Sequence, residues 1–343
     1  MSQAAQRPAS VTVVVPARLH LGFLDLNGGL GRRFGGIGLA ISDLVTSDLV
    51  TSDRAIGDLK TAVTVRRASH GGATGADAER ALRHTHVMQQ HLGFDDPLHV
   101  SVDATVPPHA GLGSGTSIAL AIAAAVRTLH AMPLDTEADA VRLGRGARSG
   151  LGVGLFRDGG FAVDGGRGPA TGVAPIIARL PFPDQWRVLL LLDSARQGSH
   201  GNDEIEAFAA LPEFPEAVAA HLCRLVVMKA LPALAEHDLA AFGGAIAELQ
   251  QRLGDYFSPR QGGSRFTSPQ VAGCLDVLKR EGALGIGQSS WGPTGFAFAP
   301  SQAEADRLVG IARGHASEGL DIRVCKGLNR GAEITTVVDA HKK

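Results

Sequence analysis

Pro107-Pro108-His109-Ala110-Gly111-Leu112-Gly113-Ser114-Gly115-Thr116 is the stretch on which the reading of this chain turns. It follows Leu98 to Val106, which alternates as a strand does, and leads into the Ala-rich run Thr116 to Leu129, apolar enough to form a helix buried all round. A glycine-rich turn of this kind lets backbone N–H groups and the positive end of a helix dipole converge on a phosphate with little side-chain hindrance. Ser114, Thr116 and Ser117 add hydroxyl donors. The Lys-Ser/Thr ending of a Walker A loop is missing. A strand-to-helix turn without a ligand is the plainer alternative; the preceding strand, the proline start and the buried helix together favour phosphate.

Outward from this loop, strands and helices alternate. Val11 to Val15 is β-branched and predicts a first strand closed by Pro16, with a glycine-rich loop region that has room for short strands over 16–38. Leu59 to Arg66 predicts a strand and Ala78 to Leu92 an amphipathic helix. Thr136 with Asp139 resembles a capping box opening a helix to about Ala147, and Phe161 to Asp164 a short strand. Ile41 to Asp53 carries the pentad duplication SDLVT-SDLVT-SD, read as a hairpin or surface strand. Pro169 to Pro183 holds four prolines and marks a junction, giving domains at 1–175 and 176–343. The second half opens with a strand, Arg187 to Asp193, and two long helices, Pro215 to Leu231 and Asp238 to Leu253. Ser268-Pro269 caps a third helix ending near Glu281, and Gly285 to Pro293 is a second Gly/Ser loop. A strand at Gly295 to Ala299, a helix at Ser301 to Ala316 and strands at Ile322 to Lys326 and Ala332 to Val338 complete an α/β or α+β pattern in both halves.

Composition narrows the function classes. The chain has 343 residues, with 33 basic against 34 acidic, so no general field attracts nucleic acid or an anionic membrane. Glycine is the outlier at 44 copies, clustered without period, as in a chain with many tight turns and close backbone approaches. Cys223, Cys274 and Cys325 are odd in number and widely spaced, which predicts reduced thiols in a cytoplasmic protein. The polar start and the shortness of the longest apolar run, Ile118 to Val126, predict neither signal peptide nor membrane span. His84, His86 and His91 lack the spacing of a zinc pair and predict a solvated helix face.

The PxxxGLGS pattern before an Ala-rich helix resembles the second motif of the GHMP kinase superfamily. Two further stretches stand where that superfamily has its other motifs: Pro16-Ala17-Arg18-Leu19-His20-Leu21-Gly22, and Gly285-Ile286-Gly287-Gln288-Ser289-Ser290-Trp291-Gly292-Pro293-Thr294-Gly295. The resemblance implies an α+β, two-domain GHMP-kinase-like fold: an N-terminal mixed α/β domain bearing the phosphate loop, and a C-terminal ferredoxin-like domain. Gly111, Leu112, Gly113, Ser114, Gly115, Thr116 and Ser117 are then the phosphate-binding residues.

The chain departs from the kinases at a telling place. Their Ser-Gly-x-x-Asp-Gln segment corresponds to Ser149-Gly150-Leu151-Gly152-Val153-Gly154, so Val153 occupies the Asp position. An alcohol awaiting phosphorylation benefits from a group that orients or deprotonates it, and valine does neither. The second Ser of the family's GLGSS is Gly115. Residues 17–41, 144–166, 197–208, 287–298 and 327–334 resemble one member group, the β-ribofuranosylaminobenzene 5′-phosphate synthases of tetrahydromethanopterin biosynthesis. That resemblance implies condensation of phosphoribosyl pyrophosphate with 4-aminobenzoate or 4-hydroxybenzoate, releasing pyrophosphate and CO2. A nucleophilic ring carbon carries no hydroxyl proton, so a missing base is no obstacle. Such a site needs loop amides, arginines, one or two acids and Mg2+. An ATP-dependent GHMP small-molecule kinase with a relocated acid, and a catalytically dead nucleotide-binding protein, are the alternatives. The family resemblance also suggests a homodimer.

Within this reading Arg18 and His20 project to one side after the first strand, Arg18 toward phosphate or carboxylate and His20 as a donor or proton carrier. Asp25 is a partner for either, or for Mg2+. Arg148 abuts the altered Ser-Gly segment, and Asp164 is the acid nearest the lost kinase carboxylate. Arg145, Arg148 and Ser149 fall at a predicted helix end, where a basic residue also suits the dipole. Arg32, Arg33, Ser149, His200, Ser289, Ser290, Thr294 and Lys326 are candidate substrate contacts, and Trp291 a platform for the aromatic ring. Solvated turns and helix caps are the ordinary alternatives for Arg32, Arg33 and His200.

Overall fold

The computed structural model describes residues 8–43, 59–196, 198, 206, 210–316 and 319–338. The duplicated pentads over 44–53 and His200 lie outside the described residues.

One strand organises the molecule. β1 (Ser10–Asp25) runs straight through Pro16, the proline predicted to end it. From Ser10 to Pro16 it pairs with β3 (Lys60–Arg67), and over Ser10 to Val14 it is flanked on its other side by β12 (Glu333–Val337). From Ala17 onward it pairs with β2 (Phe34–Asp43) instead. Proline has no ladder N–H to give, and Pro16 stands where the strand changes partners, so the chain tolerates it. Residues 16–38 are therefore mostly a hairpin rather than a loop.

The first part of the sheet continues from β3 to β5 (Leu98–Ala104) and β4 (Gly72–Gly75), a short strand with no signal in the sequence pattern. Two helices cover it, α1 (Ala78–Leu92) and α2 (Ser114–Leu129). Nearly every residue of α2 is buried, and Ile118 to Val126 packs with Val11, Val13, Val63 and Val65 in one core. α3 (Thr136–Arg142) ends short of Ala147. Its cap is Asp135, which accepts from the Ala138 N–H at 3.2 Å, whereas Asp139 is buried against Arg127 and Arg142. The capping-box reading of Thr136 and Asp139 thus gives way to a buried ion pair. α4 (Leu151–Asp158) is a helix that the glycine-rich pattern did not predict; it precedes β6 (Phe161–Asp164), which pairs with β2 and with β7 (Ile176–Leu180).

The second part contains β8 (Arg187–Asp193), β9 (Leu284–Gln288), β10 (Gly295–Ala299) and β11 (Leu320–Gly327). β9 occupies the front of the expected Gly285–Pro293 loop. Antiparallel pairing orders these strands β11-β8-β10-β9, with helices inserted after β8 and after β10, the ferredoxin-like arrangement. α5 (Glu216–Ala235, with a π turn at Val226–Ala230) and α6 (Leu239–Phe257) form one layer; α7 (Pro269–Arg280) and α8 (Gln302–His315) form the other. α5 is long and apolar enough to cross a membrane by length and composition, a test that a core helix also passes. Its Ala219, Leu222, Val226 and Leu234 pack into the core beside Leu21, Phe242 and Phe298. β11 pairs with β2 at Asp43, Ser42 and Ile41, so the sheet is continuous from one half of the chain to the other.

Candidate active site

Three loops meet where β1 emerges from its change of partner. The Arg18 N–H donates to the Leu112 carbonyl at 3.1 Å, which docks the 107–113 loop onto the strand. Gly111 has φ +83° and packs so closely on the Ser289 carbonyl that a Cβ would lie 2.2 Å from that oxygen. Gly113 caps α2 with φ +85° and no side-chain bond, leaving the helix start open to a ligand. The Ser117 hydroxyl returns to the Gly113 carbonyl at 3.2 Å.

The 289–294 loop is fastened to the same strand. Ser289 donates through Oγ to the Gly111 carbonyl at 2.9 Å and accepts there from the His20 N–H at 3.1 Å. The Ser290 N–H donates to the His20 carbonyl at 3.3 Å, and the Ser289 N–H to the Thr294 carbonyl at 2.9 Å. Ser289 is therefore a clasp between loops. Trp291 is 4% exposed and packs on Phe257 with ring centroids 4.5 Å apart, so it belongs to the core and offers no open face for a substrate ring.

The third loop, 143–150, is not the end of a helix, since α3 stops at Arg142; the helix-dipole account of Arg145, Arg148 and Ser149 falls away. Asp164 holds this loop. Its carboxylate accepts from the Ser149 hydroxyl (2.7 Å) and from the N–H groups of Gly150 (3.2 Å) and Gly166 (2.9 Å). Burial pushes its pKa up, while those three donors and Arg18 pull it down. It is fully buried, so its part in the site is to position the Arg148 loop. Ser149 Oγ in turn accepts from the Leu151 N–H at 3.2 Å, opening α4. Val153, at the kinase acid's position, is 2% exposed and part of the core under α2.

His20 lies where the loops converge, with Arg18 and Arg148 close enough to act on its charge. It is 2% exposed, and neither ring nitrogen has a hydrogen-bond partner among the described residues. Burial first, then the Arg18 and Arg148 guanidinium groups, lower its pKa to about 3. At neutral pH the imidazole is uncharged, and the positive charge of the site comes from the arginines.

A further basic group lies on the outer flank of the loop, one that the sequence pattern does not bring together. A Cβ placed on Gly115 would lie 3.1 Å from Arg145 Nη1 and 3.4 Å from Arg80 Nη1. Arg145 reaches His84 Nε2 at 3.5 Å, so His84 is turned into this group while His86 and His91 are exposed. The i, i+4 spacing of Arg80 and His84 on α1 was the available signal, visible only once α1 is known to run beside α2.

Other candidates stand apart. Asp25 lies seven residues beyond Arg18 along β1, roughly 20 Å on an extended strand. Its Oδ1 accepts from the Asn27 and Gly28 N–H groups at 2.8 Å each, so it closes a turn. Arg32 donates to the carbonyls of Gly165 (2.8 Å) and Gly166 (2.7 Å), and Arg33 to that of Leu26 (3.0 Å). Both arginines line an open cleft with Arg167 around the β1–β2 turn. Lys326 is exposed on β11 beside Ser42. Among the described residues no three His, Cys, Asp or Glu side chains come together as a metal cluster.

Known proteins share this architecture. The family model of the GHMP kinases N terminal domain matches residues 78–157, and that of the GHMP kinases C terminal matches 230–316. Homoserine kinase from Cytophaga hutchinsonii superposes with a TM-score of 0.65 at 16% identity, over 98% of this chain and 99% of its own, which establishes the fold. Among curated proteins, the beta-ribofuranosylphenol 5′-phosphate synthase of Archaeoglobus fulgidus is 33% identical over 93% of this chain and 97% of its own length. That of Methanothermobacter thermautotrophicus is 31% identical over 92% and 96%. The chain belongs to the beta-ribofuranosylphenol 5′-phosphate synthase family, on the fold of the GHMP kinases.

Proposed function

We propose that the protein transfers a phosphoribosyl group from phosphoribosyl pyrophosphate to 4-hydroxybenzoate or 4-aminobenzoate, with loss of pyrophosphate and CO2. The observation that carries this reading is the pairing of a core valine at the kinase acid's position with two arginines and a neutral imidazole, unpartnered among the described residues, beside the 107–113 loop. The relatives' name specifies a ribosylated phenol, which favours 4-hydroxybenzoate.

The chemistry follows from that inventory. The ring carbon bearing the carboxylate attacks ribose C1, and the bond from C1 to the pyrophosphate oxygen breaks with its electron pair leaving on pyrophosphate. The bond to the carboxylate then breaks; its pair restores the aromatic ring, and CO2 departs. No proton has to leave the attacking carbon, so a general base is dispensable there. Arg18, Arg148 and the amides at the start of α2 stabilise the charge that grows on pyrophosphate. His20 supplies a neutral hydrogen-bonding face that adds no cation next to the cationic ribosyl carbon.

Mg2+ accompanies the substrate in this reading. Asp25, the acid expected as a partner for it, closes a remote turn, and Asp164 is buried under three donors. Mg2+ then arrives on the diphosphate instead of in a protein carboxylate cage. A cytoplasmic homodimer completes the proposal, supported by the family resemblance and by three cysteines that form no disulfide among the described residues; sedimentation velocity tests the assembly. The decisive assay incubates the protein with phosphoribosyl pyrophosphate, Mg2+ and carboxyl-labelled 4-hydroxybenzoate. Labelled CO2 released together with pyrophosphate is the expected result, and ATP-dependent phosphorylation of an alcohol in its place would overturn the reading.

A further inference from the structure

The phosphate loop has two basic flanks. On the inner flank Arg18 approaches Gly113, its Nε 3.2 Å from where a Cβ would be. On the outer flank Arg80 and Arg145 stand over Gly115, two residues further on, with His84 behind them. Asp77 is the acid of this outer group, 3.2 Å from Arg80. One carboxylate thus faces two guanidinium groups. Arg145 Nε is buried without a hydrogen-bond partner among the described residues. Surplus positive charge and an unused buried donor over an open helix start are features that an anion would satisfy.

We propose that Arg80, Arg145 and His84 form a second phosphate subsite, distinct from the inner one, that takes the 5′-phosphomonoester of the ribosyl donor. This rests on the phosphoribosyl-transfer reading and extends it. The donor is anionic at both ends of its pentose: a diphosphate that leaves and a monoester that stays. The leaving group belongs on the inner flank, where Arg18 and Arg148 surround His20. The monoester takes no part in bond changes and needs only a fixed anchor, which the more open outer flank provides. A two-residue step along the loop is a span that one pentose bridges. Burial, then Arg145, Arg80 and Arg83, lower the His84 pKa to about 4 against an opposing pull from Asp77, so the group's positive charge sits on its arginines.

The test uses the two halves of the donor as separate probes on the full-length protein. Ribose 5-phosphate carries only the monoester, and inorganic pyrophosphate only the diphosphate. Calorimetry should show that Arg80→Ala and Arg145→Ala each weaken ribose 5-phosphate binding at least tenfold while pyrophosphate affinity stays within threefold. In turnover, KM for phosphoribosyl pyrophosphate should rise about tenfold with kcat within threefold, the signature of lost uniform binding. Arg145→Lys should recover part of the affinity, and circular dichroism checks that the variants fold. Unchanged ribose 5-phosphate binding in both variants, or an equal loss for both probes, overturns the subsite while the transfer reading stands. A wild-type protein that binds neither probe but binds ATP overturns the transfer reading, and the subsite with it.

Discussion

Arg18 and Arg148 bear the charge of the inner site, and their removal gives the most direct measure of it. Each substitution by alanine should lower kcat/KM about a hundredfold, in line with the loss of one positioned donor to a developing anion. Steady-state release of CO2 reads this, and a change under about threefold for both would remove them from the site. His20 gives a pH signature in stability. The unfolded chain protonates it near its ordinary 6.5, whereas the folded protein resists protonation until about pH 3. As pH falls below 6.5 the unfolded state binds a proton that the native state refuses. Stability that His20 contributes above pH 6.5 is therefore lost progressively toward pH 3. Urea denaturation across this range should show the acid limb flattening in His20→Gln, with a residual slope from His84, which behaves likewise down to about 4.

Elements decide whether those residues meet. The loop at 107–113 and the loop at 289–294 stack backbone on backbone at Gly111, where a side chain would collide with the Ser289 carbonyl. Gly111→Ala should cost at least about tenfold in turnover and several degrees in Tm, read by differential scanning calorimetry. At this scale the sequence is informative wherever a pattern is local. The glycine turn before α2, the cap formed by Ser268 and Pro269, and the strands Phe161–Asp164, Arg187–Asp193 and Gly295–Ala299 can all be read from neighbouring residues. Signals that depend on a remote partner cannot. Pro16 reads as a stop until its position at the change of pairing is known, and Trp291 reads as a stacking platform until Phe257 covers it. Arg80 looks like any solvated helix residue until α2 is set beside it. Asp164 can be singled out as an acid near the site, but not as the buried acceptor of three bonds.

For the whole molecule, the two-part division visible in the sequence coexists with a sheet that ignores it. β11 completes β2, and β12 completes β1, so strands from beyond residue 319 finish the first half. Residues 1–175 produced alone should therefore lack a cooperative thermal transition, and a soluble, sharply melting fragment would show the division to be energetic as well as visual. The same pairing has a temporal side. Val13 and Val14, which lead into the Arg18 strand, pair with Ile334 and Glu333 of β12, which is made after every other described strand. A nascent chain thus holds one edge of β1 bare until β12 has emerged from the ribosome. Closure of that edge should accordingly come late in folding, with chaperones that shield exposed strand edges as its natural helpers.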